Sequence, residues 1–158
     1  MRYVIASGSE SILAVAREML SGLPGIEFRA GTVPDTWEGC DATVMWWPLA
    51  HDRYGGIPEP EVAQILHNNR GDDLPGIILA TPSGPGRTSG VGSSEDEIEL
   101  YACTSLGACI SEFKRQFSDR WQKSQILVHL EASGLDREDI NASLRGISKA
   151  LKQADRGL

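Results

Sequence analysis

Four runs in this chain are almost wholly apolar and too short to be helices: Tyr3–Ala6, Ala42–Trp47, Ile77–Ala80 and Ile126–Leu130. A strand with one face in water alternates polar and apolar residues, whereas a strand covered on both faces does not. These runs therefore predict a sheet buried between two layers, and Ile26–Ala30 reads as one further strand. Helix signals fall between them. Ser9 caps a helix whose stripe is Ile12, Leu13, Ala16, Met19 and Leu20, closed by Ser21-Gly22-Leu23-Pro24. Pro58 suits the first turn of a second helix, with Val62, Ile65 and Leu66 inward. Ser94-Glu95-Asp96-Glu97 is a capping box opening a long helix through Ile98, Leu100, Tyr101, Leu106 and Ile110. Asp136 is the expected cap of a last helix carrying Ile140, Leu144, Ile147 and Leu151. The order β-α-β-β-α-β-α-β-α points to a three-layer α/β/α sandwich with a largely parallel mixed sheet. With 158 residues, no internal repeat and no linker, the whole chain, 1–158, is expected to be a single domain.

Composition narrows the partners. Apolar residues at 41% and charged residues at 23% are ordinary for a soluble globular protein. A net charge of -7 excludes a duplex nucleic-acid surface, which needs a basic stripe, but leaves room for a small anion held by a few N–H groups. Cys40, Cys103 and Cys109 lack metal-ligand spacing and are expected to be free buried thiols in a reducing compartment. No run approaches the ~20 apolar residues of a membrane span, and no signal-peptide pattern precedes the first strand, so a cytoplasmic protein is expected.

Open parallel sheets bind ligands at the carboxyl ends of their strands. Four segments leave expected strand ends: Ser7–Ser9, Pro48–Gly56, Pro82–Ser93 and Ala132–Asp136. Glu95, Asp96, Glu97 and Glu99 already oppose the dipole of the long helix, so its N-terminus is a poor phosphate site and the loop before it is expected to act as a lid or rim. Gly55-Gly56-Ile57 and Ser133-Gly134-Leu135 offer small residues and N–H groups instead. In residues 39–57 a buried strand runs into Trp46-Trp47-Pro48, then His51-Asp52-Arg53-Tyr54, then a glycine pair expected to open a helix. That is the layout of a phosphate-cradling loop beside two rings able to cover a ligand.

These pieces together resemble macro domains. Ile26 to Val33 followed by Cys40-Asp41-Ala42-Thr43-Val44 is similar to the family's opening strands, and Gly55-Gly56-Ile57 stands where the family has its glycine-rich first ligand loop. Ile78 to Pro85 is similar to the family's Ile-Ile-His-x-Val-Gly-Pro strand, and Ala132-Ser133-Gly134 to its second phosphate loop. The likeness spans about residues 26–150. It implies binding of ADP-ribose or a related nucleotide diphosphate through Thr32, Val33, Trp46, Trp47, Tyr54, Gly55, Gly56, Ile57, Ser133, Gly134 and Leu135. It also implies hydrolysis of ADP-ribosyl bonds as an activity of such domains, without a metal or other cofactor. The chain departs from the pattern where the chemistry lies. Thr32 replaces the aspartate that binds the adenine amino group, Asp35 is three positions late, and Met45 and Pro48 replace two asparagines. A hydrolase would have to use His51 as base, Asp52 to orient water or stabilise a cationic sugar, and Arg53 to hold the diphosphate.

Two other classes stay open: a Rossmann-like nucleotide enzyme using the Ser7–Glu10 loop, and a non-catalytic interaction domain in which Trp46 and Trp47 are core. Gly84, Gly86, Gly90 and Gly92 lack dinucleotide-fingerprint spacing, and no serine sits in a nucleophile elbow. His129 is expected to be a sheet-face histidine, and His67 to lie at the C-terminus of the second helix.

Overall fold

A computed structural model describes residues 1–83, 94–136 and 139–156, so most of the Pro82–Ser93 loop, with its glycines, lies outside the described residues. The elements run β1 (Arg2–Ser7), α1 (Glu10–Leu20), β2 (Ile26–Ala30), α2 (Val33–Thr36), β3 (Ala42–Met45), α3 (Trp47–Tyr54), β4 (Gln64–His67), β5 (Ile77–Ala80), α4 (Glu95–Gln116), β6 (Gln125–His129) and α5 (Ile140–Asp155). A 3₁₀ turn, Trp121–Lys123, precedes β6. The six strands form one sheet in the order β2-β1-β6-β3-β5-β4. Every pairing is parallel except that of β4 with β5. The α/β class and the mostly parallel mixed sheet expected from the apolar runs are therefore present.

The two faces are covered unequally. On one, Tyr3 and Ile5 of β1, Val44 of β3, and Ile126 and Val128 of β6 pack with α1, α4 and α5 in the main core, around Leu20, Leu106, Ile110, Phe113, Leu144 and Ile147. On the other, the short helices α2 and α3 cover two smaller clusters. Val4, Ala6 and Leu127 meet Cys40, Val33 and Trp37; Met45, Ile78 and Ala80 meet Ala50, Tyr54 and Leu66. All three cysteines are free; Cys40 and Cys109 are buried, but Cys103 is only half-buried. Burial pushes the Cys109 thiol well up from its ordinary value. No helix among the described residues is long and apolar enough to cross a membrane.

Local signals at helix starts held where a side chain could bond the first turn. Ser9 accepts the Ile12 N–H at 3.3 Å, and Ser94 and Glu97 form the reciprocal capping box. Two expectations failed. The last helix is capped by Asp139, which accepts the Ala142 N–H at 3.1 Å, and not by Asp136, which still belongs to the turn after β6. No helix follows Pro58: Pro58 and Pro60 cannot donate helical hydrogen bonds, and Pro60-Glu61 makes a tight turn with Glu61 at φ +63°. Gln64–His67 then forms the antiparallel edge strand, so His67 ends a strand and not a helix.

Helices α4 and α5 lie together because Gly146 has no side chain. A Cβ there would stand 2.8 Å from the Ala102 Cβ and closer still to the Glu99 carbonyl. Above this contact Glu99 accepts from Arg145 at 2.8 Å and from Lys149. Those two cations, Lys149 first, hold the Glu99 carboxyl below its ordinary value. A carboxylate whose folded value is lowered adds stability above its unfolded value and loses it as pH falls through the folded one. Chemical denaturation of wild type and Glu99→Gln across pH is therefore expected to show wild type more stable at neutral pH and the difference shrinking as pH falls below the ordinary carboxylate range. A difference independent of pH would locate the contribution in packing.

Candidate functional site

The five parallel strands end along one edge, at Ser7, Ala30, Met45, Ala80 and His129. Side chains knit this edge together. The Glu131 carboxylate accepts the Gly8 N–H at 2.6 Å and the Ser7 hydroxyl at 2.9 Å, and Ser7 Oγ accepts the Ser9 N–H at 3.0 Å. The carboxylate thus occupies the place of an anion at the start of α1, using the groups on which a nucleotide site at Ser7–Glu10 would depend. His129 is buried; its Nε2–H donates to the Gly31 carbonyl at 2.8 Å, and its Nδ1 accepts the Ala132 N–H at 3.3 Å. It is buried on the sheet, as expected of it, and also ties β6 to the residue after β2.

The expected ligand residues divide. Thr32 caps α2, accepting the Asp35 N–H at 3.3 Å and donating to Asp35 Oδ2 at 2.9 Å, while Val33 packs against the Trp37 cluster. The β3 strand stops at Met45, shorter than expected, because Pro48 sits in the first turn of α3 and draws Trp47 into that helix. The Trp46 N–H donates to the Ala132 carbonyl at 2.9 Å, and the Trp47 N–H to Thr81 Oγ1 at 3.0 Å. Both tryptophans are half-buried at the strand ends. The Trp46 ring lies on Gly134, where an added Cβ would stand 2.8 Å from it.

Ser133-Gly134-Leu135 is not an open phosphate loop. Its N–H groups donate to the carbonyls of His129 at 2.9 Å, Glu131 at 3.2 Å and Leu130 at 3.2 Å, because the chain winds back on itself directly after β6. Gly134, at φ +74°, serves that turn and the tryptophan packed on it.

The glycine pair also differs from expectation. Gly55 closes α3 instead of opening a helix: at φ +84° it is the cap, and its N–H donates to the His51 carbonyl at 3.1 Å. Gly56, at φ +79°, is hemmed by Leu66, His51 and Gln64. The next two donors are different in kind. The N–H groups of Gly56 and Ile57 have no protein acceptor among the described residues, both residues are exposed, and the Ile57 side chain is itself 78% exposed.

His51, Asp52 and Arg53 do not converge. His51 Nδ1–H donates to the Gly55 carbonyl at 2.9 Å, fastening the end of its own helix. The Asp52 carboxylate is exposed, with no hydrogen bond or ion pair among the described residues. Arg53 pairs with Asp72 at 3.0 Å, and the buried Tyr54 donates to the same oxygen at 2.6 Å. Tyr54 first, then Arg53, holds the Asp72 carboxyl below its ordinary value, and burial with that hydrogen bond raises the Tyr54 phenol. Asn68 fixes the backbone of the Asp72 loop. Nothing in the sequence marked Glu131 or Asp72 beyond their places in turns, since their partners lie 124 and 18 residues away.

No protein-family model, curated protein or solved structure gives a significant match to this chain.

Gly134→Ala is expected to lower stability by about 2–4 kcal/mol, since it adds a clash with Trp46 to a left-handed backbone. Gly71→Ala, at φ +72° with open space around it, should cost about 1 kcal/mol from the backbone alone. Urea denaturation of the two variants separates these contributions. Equal losses would mean that the Trp46 contact is without weight.

Proposed function

We propose that the domain is a binding module for ADP-ribose or a related nucleoside diphosphate, with the diphosphate at Gly55-Gly56-Ile57. The observation that carries this reading is the pair of adjacent exposed N–H donors at Gly56 and Ile57, at a turn where Gly55 and Gly56 both have positive φ. Two successive backbone N–H groups without a protein acceptor are donors an anion can use, here without help from the helix dipole because they follow the C-terminal end of α3. Trp46 and Trp47 stand at the other end of α3, about 12 Å away along eight residues, which suits a ligand with a ring at one end and phosphates at the other. The resemblance to macro domains supports the same assignment. The Ser7–Glu10 loop is the weaker place for a nucleotide because Glu131 already fills it.

Binding is preferred over hydrolysis on the disposition of three side chains. A hydrolytic base or charge-stabilising carboxylate must be held within hydrogen-bond reach of its substrate by supporting contacts. Asp52 has none, Arg53 is committed to Asp72, and His51 fastens its helix end. Met45 and Pro48 supply no polar group of their own.

Calorimetry with ADP-ribose and AMP tests the proposal. ADP-ribose is expected to bind and to raise the melting temperature, with AMP, lacking the second phosphate, clearly weaker. Ile57→Glu places a carboxylate beside the two N–H groups at an exposed position; it should keep wild-type stability and weaken ADP-ribose roughly tenfold or more. No binding of ADP-ribose at millimolar concentration, or full affinity in Ile57→Glu, would overturn the assignment. Turnover of ADP-ribosylated protein that is lost in Asp52→Ala would return the hydrolase in its place.

A further inference from the structure

At the opposite edge of the sheet, where β1 begins, lies a cavity of about 620 Å³. That volume falls within the ordinary range of small-molecule sites, about 300–1,000 Å³. Its apolar lining comes from Leu23 and Pro24 of the α1–β2 turn and Leu151 of α5, and Tyr3 of β1 adds a phenol. Among the described residues the charged lining is Lys114, Lys152 and Arg156 against a single acid, Asp155. The chain as a whole is at -7, so this is a locally basic site in an acidic protein.

Two polar groups here are not fully used by the protein. Lys114 Nζ lies 4.4 Å from the centre of the Trp121 ring and donates one hydrogen bond, to the Ala154 carbonyl at 2.7 Å. An ammonium has three N–H groups, so two remain without a protein acceptor among the described residues. The Tyr3 hydroxyl likewise has no hydrogen-bond partner among them, although its side chain is almost wholly buried. A half-buried ammonium and a phenol with donors to spare, on the wall of an apolar cavity, are the complement of an anionic headgroup attached to an apolar body.

We propose that this cavity binds a small anion with a compact apolar body, such as a phenyl ring, that body against Leu23, Pro24 and Leu151 and its carboxylate or phosphate between Lys114 and the Tyr3 hydroxyl. Lys152 and Arg156, more exposed, add attraction at the mouth. The surroundings agree with this division of labour. Burial lowers the Lys114 ammonium from its ordinary value, the Asp155 carboxylate nearby partly opposes that, and a bound anion would favour the charged form further. Burial and the charge of Asp155 raise the Tyr3 phenol, which keeps it a neutral donor. The site is separate from the edge assigned above and does not depend on it.

Calorimetric titration of the full chain with phenyl phosphate, benzoate, phenol and inorganic phosphate tests the assignment. At least one of the two aromatic anions is expected to bind with a Kd below about 1 mM, with phenol and inorganic phosphate each roughly tenfold weaker. The stronger of phenyl phosphate and benzoate identifies the headgroup. Lys114→Met should weaken binding roughly tenfold. Because Lys114 also packs on Trp121 and α5, the exposed double variant Lys152→Gln/Arg156→Gln provides a second test, expected to lose affinity with only a small fall in melting temperature, since both residues lie at the C-terminal end of α5. No binding of either aromatic anion at millimolar concentration, equal binding of phenol, or undiminished affinity in the double variant would overturn the proposal.

Discussion

Parallel strand pairing is the constraint on which the rest of this structure depends. Parallel neighbours cannot be joined by a tight turn, so each connection must cross a face of the sheet, and the strand ends collect at two edges. The longest crossing, from β5 through α4 to β6 and on into α5, places two helices side by side over the main core. They can lie that close only because Gly146 presents no Cβ to the Glu99 carbonyl and the Ala102 side chain. A glycine inside a helix costs about 1 kcal/mol relative to alanine, and here the close approach of α5 to α4 offsets it.

The carboxyl edge that such a sheet offers to ligands is here largely engaged with itself. Glu131 occupies the donors of the β1–α1 loop, His129 joins β6 to β2, and the turn after β6 directs its N–H groups inward. Each device satisfies polar groups that would otherwise be costly at the margin of a buried sheet. What is left for an anion is the far end of α3, where Gly55 and Gly56 have positive φ and the Gly56 and Ile57 N–H groups stay in solvent. The opposite edge carries the basic, partly apolar cavity, so each edge of the sheet has one proposed role.

Much of the fold was legible because the apolar runs report burial on both faces and because capping chemistry is local. Ser9 and Ser94 bond residues three positions on, and those contacts are readable in one dimension. Asp136 and Asp139 are alike in type, and the choice between them rested on how far the turn after β6 extends, which depends on its hydrogen bonds back to β6. The helix expected after Pro58 failed because Pro58 and Pro60, with Glu61 between them and the strand, favour a turn; the inward Leu66 has the same meaning in a strand as in a helix. The site was harder to read for a related reason. The Gly134 N–H is taken up by the Glu131 carbonyl in the turn after β6, whereas the Gly56 N–H stays in solvent, and glycine composition alone does not tell these two turns apart. Arg53 has Asp52 beside it in the sequence, yet its partner is Asp72, across a loop whose geometry Asn68 sets.

The central claim is that the glycine end of α3 holds the diphosphate. Backbone amide NMR during titration with ADP-ribose reads that claim at single residues. The largest shifts are expected at Gly55, Gly56 and Ile57, with smaller ones at the Trp46 and Trp47 side chains and little change at Gly134 and Leu135, whose N–H groups are already bonded. Shifts centred on Gly8 to Ser11, with the Gly56 and Ile57 amides unmoved, would contradict it and place the ligand where Glu131 now lies.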